Sequence, residues 1–334
     1  MTTEISPPLD YAPAAAPARA PVVRWLKKLA PLLGLACVVG LFSALRPERF
    51  ATPSNFQVIL TQTAVVGTAA LGMTLVIISG GIDLSVGSAL ALCTVIVAHL
   101  LKRGLPPAAA AFASVGAGAA VGLVIGLLVT YGRLLPFIVT LGLLGALRAT
   151  AQLLAPNARV EAPDTWLNDL MFIFAENNVL VPAGVWVMLA LALLVAGVLR
   201  YTRFGRHAFA VGSNEQTARL CGVAVDRTKI LVYVYAGALN GVAGVLMFSS
   251  LTMGEATGAQ GYELNVIAAV VIGGASLSGG EGSVLGSLVG ALMMTTLANG
   301  CTKMDWPNPY QMAVTGVIII LAAALDRLRH RWTS

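Results

Sequence analysis

Charge is scarce in this chain. Only 11% of its 334 residues are Asp, Glu, Lys or Arg, while 57% are apolar and the mean hydropathy is +0.82. Soluble domains carry about 25% charged residues, so a soluble protein is excluded. The three histidines, His99, His207 and His330, have no spaced partners, and the four cysteines, Cys37, Cys93, Cys221 and Cys301, lie far apart without a C-x-x-C spacing. No disulfide framework, metal site or catalytic group is readable. There is no G-x-x-x-x-G-K-[ST] loop and no Gly-Lys pair. ATP hydrolysis, if the protein's work requires it, belongs to another chain. Strict alternation is missing from runs such as Leu71 to Ile78, which excludes a transmembrane barrel.

What is present is a series of long apolar runs: 29–45, 57–80, 88–101, 108–131, 134–154, 182–199, 230–251, 264–275, 284–300 and 310–325. A spanning helix needs about 20 apolar residues. The fold class is therefore an all-α polytopic membrane protein. Three runs are short, which marks tilted, buried or half-crossing elements and gives a range of eight to ten spans. Leu35-Ala36-Cys37 resembles a lipoprotein cleavage box, but Gly34 stands where a larger apolar residue is expected and the run continues past the cysteine. It reads as part of a span.

Residues 1–23 hold five prolines and many alanines without apolar periodicity, the composition of a disordered tail. Residues 24–334 form the membrane domain. The net charge of +6 sits in a few loops and at the termini, so it reports orientation and not nucleic acid. Arg24, Lys27 and Lys28 precede the first run, which places the amino terminus in the cytoplasm. Segment 200–229 carries Arg200, Arg203, Arg206, Arg219, Arg227 and Lys229 against Glu215 and Asp226, and Arg327, Arg329 and Arg331 follow the last run. Both regions should be cytoplasmic. The stretch with Glu161, Asp164, Asp169 and Glu176 should face outward. A ten-span path satisfies all of these and leaves Lys102 and Arg103 outside as one violation of a statistical rule.

An internal echo joins Gly80-Gly81-Ile82-Asp83-Leu84-Ser85-Val86-Gly87 to Gly273-Gly274-Ala275-Ser276-Leu277-Ser278-Gly279-Gly280, both G-G-x-x-L-S-x-G after a Val/Ile run. Repeats with Gly-interrupted spans at corresponding positions point to a translocation site. Tight helix packing through small residues is the plainer reading. Gly80 and Gly81 lack the side chain that forbids positive φ, so a helix can end there and turn. Asp83 or Ser85 can cap the next helix, and a carboxylate at membrane depth, which costs about 2.5 to 3.5 kcal/mol, needs such partners. Polar residues able to line a path are Thr61, Gln62, Thr140, Asn240 and Asn299. Gln62 and Asn240 can equally hydrogen-bond between helices.

The run Leu71 to Ile77 followed by Gly80 to Gly87 resembles the signature of ATP-binding-cassette permeases of the ribose, xylose, galactose and galactofuranose group. The resemblance continues through Pro136 to Gly142, Gly205-Arg206, Gly212, Asn214, Glu215, Ala218, Gly222, Gly261 to Leu264, Ile267 to Gly286, Asn299-Gly300, Tyr310-Gln311, Gly316 and Asp326. It covers about residues 50 to 326. It implies a passive permease subunit of a bacterial importer in the inner membrane, working as a dimer with a second copy or a paralogue. A cytoplasmic ATPase that binds the ATP and a periplasmic sugar-binding protein would be its partners, with no cofactor in this chain. On the repeat of Gly-interrupted spans, Gly80, Gly81, Asp83, Ser85, Gly273, Gly274 and Ser276 are expected to border the substrate pathway.

Segment 203–229 looks like the part that meets the ATPase in that family. A short amphipathic helix is expected from Asn214 to Cys221, bracketed by Gly212 and Gly222, with Glu215 and Arg219 four residues apart and able to pair. Basic loops also occur without a partner. Ser213, Thr217 and Cys221 depart from the family's glycine, alanine and serine, and Asn265 stands where aspartate is common. Arg148 matches a family arginine, with Ala149 replacing a glycine, and reads as structural. The alternatives are an ATP-binding-cassette permease for branched amino acids, nucleosides or a signalling sugar, and an ion-coupled secondary transporter with Asp83 as its one well-placed acid and Glu263 near a boundary. A membrane enzyme lacks the clustered groups it would need.

Overall fold

A computed structural model describes residues 21–172 and 181–331. Most of the expected tail and Glu176 lie outside these residues, and a helix already begins at Pro21. The described residues form fourteen helices and two three-residue strands. In order they are α1 (Pro21–Leu45), α2 (Pro47–Phe50), α3 (Pro53–Ile78), α4 (Val86–Lys102), α5 (Pro107–Thr130), α6 (Pro136–Leu154), β1 (Arg159–Glu161) and α7 (Trp166–Asp169). There follow α8 (Ala183–Tyr201), α9 (Arg203–Ser213), α10 (Glu215–Leu220), α11 (Val225–Leu251), β2 (Met253–Glu255), α12 (Tyr262–Ile272), α13 (Val284–Lys303) and α14 (Asn308–Arg331).

All ten apolar runs are helical. Six, α3, α5, α6, α8, α11 and α13, are long and apolar enough to cross a membrane, and the runs in α1, α4, α12 and α14 are shorter. Helix starts follow local chemistry. Pro53, Pro107 and Pro136 open α3, α5 and α6, where a missing N–H costs nothing. The Thr52 and Ser283 hydroxyls accept the Asn55 and Gly286 amides at 3.3 Å and cap α3 and α13.

Helix α3 is the buried axis of the bundle, with 18 of its 26 residues enclosed by its neighbours. Hydroxyl pairs tie it to α13: Thr63 to Thr295 at 2.6 Å and Thr74 to Ser287 at 2.7 Å. Such bonds contribute about 0.6 kcal/mol each on average between membrane helices. Helices α5 and α11 approach until backbone meets backbone. A methyl on Gly118 or Gly122 would overlap the Gly237 or Tyr233 carbonyl oxygen, and the Ser114 hydroxyl donates to the Gly241 carbonyl at 2.9 Å. Small residues at four-residue spacing make this approach possible. By contrast α6 turns Phe137, Ile138, Leu141 and Leu153 outward, the composition of a lipid-facing or subunit-facing helix.

The path has two ends. At one, Gly280 donates its amide to the Ile78 carbonyl, and the segments 79–85, 131–135, 202–224 and 273–283 gather. At the other, β1 pairs antiparallel with β2, Arg159 opposite Glu255, Arg49 meets Asp305 at 2.8 Å, and His99 Nε2 lies 2.7 Å from the Leu154 carbonyl oxygen.

Candidate functional site

Both expected helix interruptions are present. At the first, α3 ends with the Gly80 amide on the Ile77 carbonyl and the Gly81 amide on the Val76 carbonyl, each at 2.9 Å. This is a Schellman ending, which requires a left-handed residue after the cap. Gly80 supplies it with φ +82°. The expectation that Gly81 shares this role is corrected, because its φ is not positive. Gly81 is constrained from outside instead: a methyl there would overlap the Tyr233 hydroxyl.

A short non-helical stretch, 81–85, then leads to α4. Asp83 is buried, and its Oδ1 accepts the Ser85 amide at 2.8 Å and the Ser85 hydroxyl at 2.6 Å, an Asx turn. Ser85 occupies the N-cap position of α4 and makes no side-chain cap bond, and Asp83, two residues earlier, bonds only to Ser85, so the expectation that Asp83 or Ser85 caps α4 is corrected: the carboxylate closes the turn before the helix. From α6 the buried Thr140 hydroxyl reaches the Ile82 carbonyl at 3.3 Å, and Arg148 Nε reaches the Ser88 hydroxyl at 3.2 Å. The first satisfies a backbone group of the interruption, as membrane depth requires, and the second ties α6 to the start of α4.

The second interruption repeats the same ending with a one-residue offset. The Gly274 amide meets the Val271 carbonyl at 2.9 Å, the Ala275 amide meets the Val270 carbonyl at 3.1 Å, and Gly274 has φ +95°. Gly80 thus corresponds to Gly274, not to Gly273 as the sequence echo aligns them. Gly273 has helical φ and is needed for another reason, since a methyl there would overlap the Gly286 backbone. The stretch from Gly274 to the Ser283 cap is longer than that from Gly80 to Ser85. It holds buried Ser276, whose amide meets the Glu281 carbonyl at 3.1 Å, and the left-handed Gly279 and Gly280.

The two interruptions touch each other and a third element. Beyond the 2.9 Å bond from the Gly280 amide to the Ile78 carbonyl, Gly212 lies against both. A methyl on Gly212 would overlap the Ile78 carbonyl oxygen and stand 2.7 Å from the Gly280 nitrogen. Gly212 belongs to α9, a helix that the reading of segment 200–229 as a loop missed. Its place inside α9 corrects the expectation that it brackets the next helix. Gly205, in the first turn of α9, packs against the Leu199 backbone, while Arg206 is exposed.

Helix α10 forms where expected. Asn214 caps it by accepting the Thr217 amide at 2.8 Å, Ala218 faces inward, and Gly222 ends it at φ +80°. Glu215 pairs with Arg219 at 3.6 Å and with Lys229 of α11 at 2.6 Å, and Arg219 meets Asp226 at 2.7 Å. The Asp226 hydrogen bond and then its charge hold the Arg219 guanidinium above its ordinary pKa. These pairs fasten α10 to α11, and Leu220 projects from it 90% exposed.

A cavity of about 850 Å³ lies between α10 and the first interruption, with Gly80, Gly81, Asn214, Glu215 and Tyr233 on its wall. The Tyr233 hydroxyl, buried in that wall, has no hydrogen-bond partner among the described residues, and no motif in the sequence announced it. Asn240 and Asn299 are buried, and their Oδ1 atoms have no partner among the described residues. The Glu263 Oε2 likewise has no partner among the described residues and packs over Gly87. Gln62 is distant, on a separate cavity of about 160 Å³ between α3, α12, α13 and α14. Among the described residues no three His, Cys, Asp or Glu side chains gather to hold a metal ion.

Comparison with known proteins matches residues 55–323 to the family described as branched-chain amino acid transport system / permease component. The chain is 39% identical over 307 residues to the ribose import permease protein RbsC of Escherichia coli (strain K12), covering 92% of this chain and 95% of that one. It is 39% identical over 306 residues to RbsC of Bacillus subtilis (strain 168), covering 90% and 93%. To the fructose import permease protein FrcC of Rhizobium meliloti it is 35% identical over 303 residues, covering 89% and 84%. No solved structure matches. With a family match across most of its length and relatives aligned nearly end to end, the chain belongs to the branched-chain amino acid transport system / permease component family.

Proposed function

We propose that this chain is the membrane-spanning subunit of an ATP-binding-cassette importer for a monosaccharide, moved by a separate cytoplasmic ATPase and supplied by a periplasmic sugar-binding protein. The observation that carries the reading is the contact of α9, through Gly212, with both helix interruptions at once. A displacement of α9 and α10 by a partner is transmitted without slack to Ile78 and Gly280. The similarity to ribose and fructose import permeases supports a sugar as cargo. ATP can shift such a permease only through different affinities for its two states, a difference that the ATPase would deliver at α10.

The basic residues of 200–229 support a cytoplasmic position for that end, and hence for both termini, in the bacterial inner membrane. Gly205, Arg206, Gly212, Asn214, Glu215, Ala218, Arg219 and Gly222 then belong to the ATPase-coupling unit. Gly80, Gly81, Asp83, Ser85, Thr140, Gly273, Gly274 and Ser276 form or brace the two hinges of the pathway. A second copy or a paralogue completes the transporter.

The test is to tag the chain in its native membrane, purify it in mild detergent and identify stoichiometric companions by mass spectrometry. A nucleotide-binding ATPase is expected, and the ligand of any accompanying binding protein names the cargo. A stable species without an ATPase overturns the reading and favours an ion-coupled transporter.

A further inference from the structure

Tyr233 lies on α11 with only 2% of its surface exposed. Its main chain is locked into the α5–α11 seam, where a methyl on Gly122 would overlap the Tyr233 carbonyl oxygen and stand 3.1 Å from the Val234 α-carbon. Its side chain leaves that seam and ends on the first helix interruption. A methyl on Gly81 would overlap the hydroxyl and stand 3.3 Å from the ring carbon that bears it. A close-packed seam thus sends one arm to the turn between α3 and α4.

Each side of this contact holds an idle polar group. The Tyr233 hydroxyl has no partner among the described residues, and its oxygen is shielded from water in the neighbouring cavity. Phenylalanine would fill the same space without burying an unpaired hydroxyl, so packing of the ring does not account for a tyrosine. Opposite it, the Gly81 amide is bonded to the Val76 carbonyl, but the Gly81 carbonyl accepts no hydrogen bond among the described residues. A donor without an acceptor and an acceptor without a donor therefore meet at one glycine.

The turn also has a lever and room to move. Ile78, three residues before Gly81, bonds the Gly280 amide through its carbonyl and lies against Gly212 of α9. Ser79, Gly80 and Gly81 border the cavity of about 850 Å³, and a peptide between glycine and its neighbour rotates with little steric cost. The geometry points to Tyr233 as the positioning residue of the first hinge. In the other end state of transport the Gly81 peptide turns and its carbonyl accepts the Tyr233 hydroxyl, which catches the hinge at that end of its travel. A bond made in one state only is what shifts a two-state equilibrium. The inference rests on the permease reading and adds the residue that makes the hinge bistable.

The experiment uses the complete transporter with its ATPase and loaded binding protein. Infrared difference spectra are taken between the nucleotide-free complex and one holding ATP on a hydrolysis-deficient ATPase. Ring-labelled tyrosine marks the phenol C–O stretch, which shifts when the hydroxyl becomes a donor. The wild type should show a tyrosine difference band that Tyr233→Phe lacks. ATP-dependent uptake into proteoliposomes by Tyr233→Phe should fall about fivefold, the change in a two-state balance that one hydrogen bond carries, with membrane abundance and recovery of the ATPase unchanged. If every tyrosine difference band survives in Tyr233→Phe, if the wild type shows none, or if uptake by the variant stays at the wild-type level, the assignment is overturned. Wild-type uptake that proceeds without ATP refutes the permease reading itself, an outcome distinct from the other three.

Discussion

Gly212 and Ile78 are separated by more than 130 positions in sequence, yet a methyl group on the first would overlap the carbonyl oxygen of the second, which accepts the Gly280 amide at 2.9 Å. A single main-chain acceptor at the end of α3 therefore joins both helix interruptions to the helix that precedes α10. Any side chain at 212 must displace one of the three backbones.

Gly212→Val is accordingly expected to abolish uptake while the protein still inserts. Overpacking of this kind costs about 1 to 3 kcal/mol, enough to shift the two-state balance without unfolding a ten-helix bundle. Sugar uptake by cells expressing the variant, measured beside its abundance in the membrane, decides the matter. Uptake at the wild-type level would show that α9 and the interruptions move independently.

How much of this was legible in the sequence depended on how local the cause was. The ten runs were readable as helices because apolarity is continuous along each, six of them at spanning length, and α10 because Asn214, Glu215 and Arg219 carry its cap and its pair within one and a half turns. The interruptions announced themselves as Gly-Gly. Their correspondence was misaligned by one residue because the second Schellman ending uses Gly273 as cap and Gly274 as the left-handed residue, while the first uses Ser79 and Gly80. Composition could not reveal α9, whose Arg203, Arg206 and His207 read as a solvated loop. Nor does a glycine name its neighbour: that Gly81 faces Tyr233, or Gly212 faces Ile78, is a property of the packed bundle.

The α5–α11 contact provides a test of fold with an internal control. Gly122 has no room for a side chain beside the Tyr233 carbonyl, whereas Gly116 on the same helix has no atom within 4 Å. Gly122→Leu should lower the thermal stability of the detergent-solubilised protein or prevent its accumulation. Gly116→Leu should leave both unchanged within about 0.5 kcal/mol, as open surface positions do. Equal behaviour of the two variants would refute the close-packed stripe.

Leu220 bears on the partner. It is 90% exposed at the tip of α10, beyond the apolar part of the bundle, and no internal packing explains a leucine there. Leu220→Asp should leave expression and melting temperature as they are and reduce co-purification of the ATPase by about tenfold or more, the loss expected of a desolvated interface anchor. Wild-type recovery of the ATPase would place its contact elsewhere. Glu215→Lys is a less clean test, because it sets a third cation beside Arg219 and Lys229 and loosens α10 itself.

Asp83 separates the two transport mechanisms. Its Oδ1 accepts both bonds from Ser85, and an asparagine carbonyl can accept the same two. If the carboxylate serves the turn, Asp83→Asn retains uptake while Asp83→Leu loses it, since leucine leaves the Ser85 amide and hydroxyl without an acceptor in a buried site at a cost of about 1 to 3 kcal/mol. If instead the acid carries a coupling proton or sodium ion, asparagine is as damaging as leucine, because the charge and not the acceptor is what the mechanism consumes. Uptake by the two variants is to be measured with and without a protonophore under conditions that hold cellular ATP constant. Activity of Asp83→Asn that survives the protonophore fits an ATP-driven permease in which this buried acid is architectural. Loss of activity in Asp83→Asn, with wild-type uptake collapsing under the protonophore, would return Asp83 to the role of an ion-coupling site and remove the ATPase from the mechanism.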